Sequence, residues 1–256
     1  YMLGIVDLNA DVGESYGLMK SGKDELIIPF VSSVNIATGF HSGDPDTIKD
    51  TVSLSKDKGI GAHPSYPDLQ GFGRRFMEIP KESISNLIAY QIGALSAFLD
   101  FQLSHVKPHG ALYNAACSDI GVAQAIFSSV KNIDKDIIHV TLANSEWDKF
   151  LSSKGVKVAK EGFADRALND NGLLVPRSEA GAVIHNQDQI LERVVSMVSS
   201  GEVKSISGKK INIRPDTICL HGDNEESVNL AKQIRDELIR AGCEVKPMKD
   251  FIKINA

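Results

Sequence analysis

Short apolar runs separated by longer amphipathic stretches recur along the whole of this chain, and that rhythm most narrows the folds open to it. A short apolar run bounded by turn residues suits a strand buried on both faces, and an amphipathic stretch after it suits a crossover helix. Repetition of the unit builds a parallel sheet. Seven runs qualify as strands: Leu3–Leu8, Val34–Ala37, Ile60–Ala62, His105–Lys107, Ile137–Leu142, Lys157–Ala159 and Thr217–Leu220. The stretch Lys81–Leu103 predicts a long helix, with Pro80 where a helix start tolerates it and Ile84, Leu87, Ile88, Ile92, Leu95 and Phe98 on one stripe. A last helix is predicted between Asn224 as cap and Gly242 as terminator. Glu225 and Glu226 favour its first turn, and Val228, Ala231, Ile234, Leu238 and Ala241 form its apolar face.

Two regions break the rhythm: the Gly/Pro-rich segment Pro64–Gly73, and Gly201–Asp216, where Val203–Ser207 and Lys209–Ile213 flank Gly208 like a hairpin. Both read as surface excursions. The expected architecture is α/β, with residues 1–256 as a single-domain seven-stranded (βα) barrel. A chain of 256 residues, 42% hydrophobic and 24% charged, can bury one substantial core and is not extensively disordered. The net charge of −5 and the lack of a Lys/Arg stripe argue against a nucleic-acid partner. No apolar stretch approaches the ~20 residues that cross a bilayer, and no basic segment precedes an apolar one at the start of the sequence. The expectation is a cytoplasmic protein without a membrane partner. Cys117, Cys219 and Cys243 lack paired spacing and are expected to be buried free thiols.

Loops after the C-terminal ends of barrel strands converge on one face, so residues distant in sequence can meet there. The polar residues of this chain collect at those positions. Asp7, Asn9, Asp11 and Glu14 surround the end of the first strand, His41 and Asp44 follow the second, and His63 follows the third. Lys107 and His109 end the fourth, Glu161, Asp165 and Arg166 follow the sixth, and His221 and Asp223 end the seventh. One histidine alone usually rests on a backbone carbonyl, but several beside carboxylates can transfer protons or hold a cation. Asp7, Asn9 and Asp11 share one face of an extended segment, a pattern that also fits a solvated strand edge. Arg74 and Arg75, after Gly71 and Gly73, suit a carboxylate or phosphate, or a plain exposed turn. The segment Gly17–Asp24 nearly matches a phosphate-binding loop but has Asp24 where a hydroxyl should ligate Mg²⁺, so it is set aside. From chemistry alone the reading ends at a His/Asp/Glu/Lys site suited to hydrolysis of a small polar substrate.

The segments Asp7–Glu14, Asn35–Pro45 and Gly61–Asp68 closely resemble the LamB/YcsF family, the 5-oxoprolinase A subunits. The likeness continues through Gly71–Arg75, Val106–Asn114, Phe163–Arg166, Leu174–Arg177 and Ile218–Asp223, in order and spacing. The resemblance implies a fold similar to polysaccharide deacetylase barrels. It implies ATP-dependent opening of 5-oxo-L-proline to L-glutamate, with ADP and phosphate released, in company with partner subunits B and C. Mg²⁺ is expected with ATP, and a tightly held metal such as Zn²⁺ is left open. Asp11, His63, Lys107, His109 and Asp223 are then the candidate catalytic residues. Asp7, Asn9, Glu14, His41, Arg74, Arg75, Glu161, Asp165, Arg166, Arg177 and His221 are the candidate substrate-binding residues. Ala10, Thr38 and Ser42 stand where many members carry Cys, Cys and Ala, and Leu168 where Tyr is usual. Two rival readings remain: a metal-dependent amide or sugar deacetylase, and a non-catalytic lactam-binding subunit.

Overall fold

The computed structural model describes residues 4–100, 102–222 and 224–254. Ten strands occur among them: β1 (Gly4–Val12), β2 (Ser33–Ala37), β3 (Gly59–His63), β4 (His105–Val106), β5 (Ile138–Leu142), β6 (Val158–Phe163), β7 (Glu202–Lys204), β8 (Lys210–Asn212), β9 (Thr217–Leu220) and β10 (Cys243–Val245). Eight helices accompany them: α1 (Asp24–Ile27), α2 (Pro45–Leu54), α3 (Lys81–Ser96), α4 (Gly110–Ser118), α5 (Ile120–Ile133), α6 (Glu146–Ser152), α7 (Gln187–Ser199) and α8 (Glu225–Arg240).

Strands β1 to β6 and β9 pair in parallel, and β9 pairs back onto β1 through Asp7↔Thr217 to Ala10↔Leu220. The sheet is a closed barrel of the seven expected strands. Closure leaves no barrel strand with an unpaired edge. Strand β10 pairs outside the ring with the first residues of β1, while β7 and β8 form the expected hairpin as a separate two-stranded sheet.

β1 runs four residues beyond the expected end at Leu8. Its alternation of polar and apolar residues is the cause: Asp7, Asn9 and Asp11 face the interior while Leu8, Ala10 and Val12 pack beneath the helices. The three polar residues therefore lie within a strand, and the interior they face is itself polar. α3 stops at Ser96 rather than Leu103. Phe98 and Leu99 donate to Leu95 and Ser96 in a tightened turn, which swings Leu103 into the core ahead of β4. The caps of α8 are as expected, with Asn224 Oδ1 accepting from Ser227 N at 2.9 Å.

Gly61 is required by the barrel interior. A Cβ there would lie 2.2 Å from the ring of His105, its neighbour on β4, so only glycine lets the imidazole lie across the inside of the barrel. All three cysteines are free and buried, as expected. Among the described residues no helix is long and apolar enough to cross a membrane.

Candidate active site

The interior polar residues form levels along the barrel axis. Lowest is Asp7, which accepts from Ser32 Oγ at 2.7 Å, Ser33 Oγ at 2.6 Å and the Thr217 hydroxyl. Burial nevertheless outweighs these bonds and pushes its carboxyl up to about 6. Above it Asn9 donates to Glu161 and Thr217 and accepts from Asn35 Nδ2 at 2.7 Å. The Nε2–H of His105 donates to Asn35 Oδ1 at 2.8 Å. This level is saturated and braces the residues above it.

The upper level centres on Lys107. Its Nζ lies 2.8 Å from Glu161 Oε1, 3.0 Å from Asp11 Oδ1 and 3.2 Å from Cys219 Sγ. Burial disfavours the ammonium, but Asp11, Cys219 and Glu161 outweigh it and hold Lys107 well above the ordinary lysine range. Asp11 is likewise resisted by burial, yet His63 and Lys107 hold it well below the usual carboxylate range.

Beside this pair lies a group of three imidazoles and a carboxylate. His63 Nε2 is 3.3 Å from Asp11 Oδ2, and His109 Nδ1 is 3.0 Å from His63 Nε2. The rings of His41 and His109 stack at 3.8 Å, and Glu14 Oε1 is 3.0 Å from His41 Nε2 and 3.4 Å from His109 Nδ1. Burial, then the neighbouring histidines, holds His41 and His109 well below the ordinary imidazole range, so both rings are neutral. Gly73 makes the packing possible: with φ at +63°, it passes where a Cβ would sit 2.9 Å from both His41 and His109. Its carbonyl also accepts from Ala111 N at the start of α4.

Asp11, Glu14, His63, Lys107 and His109 form the floor of a cavity of about 490 Å³. Arg74, Arg166, Arg177 and His221 line its other parts, with Tyr113, Phe163 and Leu174 supplying apolar wall. Arg166 is buried and anchored on Val175 O at 2.7 Å. Burial, then the like charge of Arg177, pulls it below the ordinary guanidinium range, and Arg74 adds to this repulsion. Three guanidinium groups around one cavity make it receptive to an anion.

Among the candidate residues, Asp11, Glu14, His41, His63, Lys107, His109 and Glu161 thus converge, and Arg74, Arg166, Arg177 and His221 face the same space. Asp165 reaches it through His221, at 2.8 Å. Asp7 and Asn9 lie beneath the floor and do not line the cavity. Arg75 turns away, its guanidinium held by Asp68 with Nε 2.9 Å from Oδ1. Asp223 lies outside the described residues. Within Gly17–Asp24 the Gly17 N–H donates to Asp44 and the Ser21 N–H to Ser15 Oγ, while the Asp24 carboxylate accepts from Gly13 N. Sequence reasoning passed over Cys219 and Asn35, which touch Lys107 and Asp11. The available signal was a polar residue within an otherwise apolar run, since a strand buried on both faces admits one only if it is paired inside.

The LamB/YcsF family model matches residues 6–253. The chain belongs to the LamB/YcsF family. Similar curated proteins include the 5-oxoprolinase A subunit of Thermococcus onnurineus, 51% identical over 97% of this chain and 99% of the relative. That of Campylobacter jejuni subsp. doylei is 46% identical over 96% of this chain and 99% of the relative. Among solved structures, the lactam utilization protein from Thermus thermophilus is 42% identical and superposes with a TM-score of 0.89 over 94% of this chain and 99% of that one. A family 4 carbohydrate esterase from Streptomyces lividans superposes on this chain with a TM-score of 0.50 over 100% of this chain and 99% of that one. At 11% identity that likeness concerns the fold alone.

Proposed function

We propose that this chain is the A subunit of an ATP-dependent 5-oxoprolinase, acting in the cytoplasm with B and C subunits to open 5-oxo-L-proline to L-glutamate. The names of its relatives support the reading, and one observation carries it: a buried Lys107–Asp11 pair beside neutral imidazoles, under a cavity ringed by Arg74, Arg166 and Arg177. The arginines suit the substrate carboxylate and a phosphoryl group. A five-membered lactam is a stable amide, and transfer of the ATP γ-phosphoryl group to its oxygen makes the ring carbon a better electrophile. Lys107 sits to steady negative charge on that oxygen, and Asp11, beside His63, to take the proton of the attacking water. The ring C–N bond then breaks, the amine leaves protonated, and a second water releases phosphate from the acyl phosphate. ATP enters as co-substrate with Mg²⁺.

The absence of a phosphate-binding loop at Gly17–Asp24 supports placing part of the nucleotide chemistry on the partner subunits. The test measures glutamate and phosphate for the chain alone, for the partners alone and for the mixture, with and without ATP. The expected result is formation of both products together in the mixture with ATP. Full activity of the chain alone would remove the partner requirement. ATP-independent amide cleavage would favour a deacetylase-type hydrolase, and binding of 5-oxoproline without turnover in any mixture would favour a lactam-binding subunit.

A further inference from the structure

Two backbone carbonyls set the tautomers of the facing imidazoles. His63 Nδ1 lies 2.6 Å from Lys107 O, and His109 Nε2 lies 2.9 Å from Phe72 O. A carbonyl only accepts, so these two nitrogens carry the ring protons. The other two nitrogens, His63 Nε2 and His109 Nδ1, then face each other across 3.0 Å, too close for both to carry a proton. Glu14 Oε1 faces the same point, 3.4 Å from His109 Nδ1 and 3.9 Å from His63 Nε2. His41 Nε2 adjoins it, and the four ligand atoms all lie within 4.8 Å of one another. His63 Nε2, His109 Nδ1 and Glu14 Oε1 form a convergence of acceptor atoms that is repulsive until a positive charge enters it.

We propose that Glu14, His41, His63 and His109 bind one divalent first-row transition-metal ion of the Zn²⁺ or Co²⁺ type. Three imidazoles with one carboxylate form a nitrogen-rich donor set that suits such ions, whereas Mg²⁺ prefers oxygen. The carbonyls behind His63 and His109 are the partners that metal-ligating histidines require to fix ring and tautomer. Four side chains from four different segments meet here, and the close pass of Gly73 holds two of the rings in place. Glu14, His63 and His109 also line the cavity, so a bound ion is open to a small ligand from that side. When bound, the ion supplies Lewis-acid polarisation of an oxygen in the cavity, and the proton of the attacking water falls to Asp11 alone. The assignment stands on side-chain geometry and holds whatever substrate the cavity accepts.

The test uses the full chain, dialysed against a chelator and titrated with Co²⁺, Zn²⁺ or Mg²⁺ alone, followed by calorimetry and by the visible ligand-field bands of Co²⁺. The expected result is uptake of one equivalent of Co²⁺, with bands that one equivalent of Zn²⁺ abolishes and Mg²⁺ leaves unchanged. His63→Gln, His109→Gln and Glu14→Gln should each weaken Co²⁺ binding by more than ~100-fold, since even loss of a ligand's hydrogen-bond partner costs 10- to 100-fold. His185→Gln, at an exposed histidine, should not. Glu14 is the most accessible of the four, which guards against misfolding of the histidine variants, and circular dichroism verifies each fold. No stoichiometric uptake, uptake of Mg²⁺ only, or unchanged binding in folded Glu14→Gln and His109→Gln would overturn the assignment. A proton shared between the two rings would then be the better account. Turnover enters none of these measurements, so failure of the oxoprolinase reading leaves the result intact.

Discussion

Lys107 Nζ lies 2.8 Å from Glu161 Oε1 with the two side chains 3% and 0% exposed, so this ion pair is almost wholly buried beneath the cavity. Removing one partner strands a buried charge. Lys107→Met should lower the unfolding free energy by ~3 kcal/mol or more, the scale for breaking a buried pair. Lys107→Met/Glu161→Gln should recover a large part of that loss, because the stranded carboxylate is gone. Urea unfolding of the two variants tests this, and equal losses would mean that Glu161 does not depend on Lys107.

Asp11 and His109 form part of the cavity floor, where substrate chemistry is proposed. Asp11→Asn and His109→Ala should each lower turnover of the assembled enzyme by at least ~100-fold, the usual scale for losing a proton-transfer or charge-stabilising group. Folding should remain near that of the parent. Unchanged turnover in both would move the chemistry to another site.

Arg74 and Arg75 are neighbours in sequence with different surroundings. The Arg74 guanidinium lies 5.0 Å from the Phe72 ring centroid and lines the cavity, whereas Arg75 is bound to Asp68. Arg74→Ala should raise the KM for 5-oxoproline or ATP by about 10-fold, as loss of a charge-assisted contact costs on the order of 1.5 kcal/mol. Arg75→Ala should change KM little. Steady-state kinetics of the two variants side by side decide it, and the opposite ranking would place the anion outside the described cavity.

Asp7 ties stability to pH. Its carboxyl is pushed up to about 6 from an ordinary 3.8, so the folded protein keeps this proton where the unfolded chain has lost it. The contribution is fully present below an unfolded pKa near 3.8 and is lost as pH rises through about 6. Over that window it amounts to as much as ~3 kcal/mol. Asp7→Asn has no proton to lose, so its stability should fall less than that of the parent over this range. Urea midpoints of both proteins at several pH values measure the difference, and parallel curves would show that Asp7 does not titrate there.

Much of the barrel was legible in the sequence because its signals are local. Ile60–Ala62 and Thr217–Leu220 are apolar runs between turn residues, and a strand covered on both sides has to be such a run. Asn224 and Gly242 bracket α8 through bonds that span only a few residues. The gathering of His41, His63, Lys107 and His109 was also foreseeable, because all parallel strands of a closed barrel deliver their C-terminal ends to one face. Local pattern misjudged β1, where Asn9 and Asp11 looked like residues beyond a strand end but occupy its inward face.

The sequence by itself determined the elements, their order and the end of the barrel that carries the polar groups, because periodicity and turn chemistry act between near neighbours. Only the tertiary structure decided which groups touch. Arg74 and Arg75 are indistinguishable in composition, and their separation depends on Asp68 standing beside one of them. The contact of His63 with His109 spans 46 positions and relies on the carbonyls of Lys107 and Phe72 behind the rings. Cys219 looks inert until barrel closure brings it to Lys107, 112 positions away. Contacts of that kind are set by ring closure and by loop paths that no local pattern encodes, and they decide charge, tautomer and access at the site.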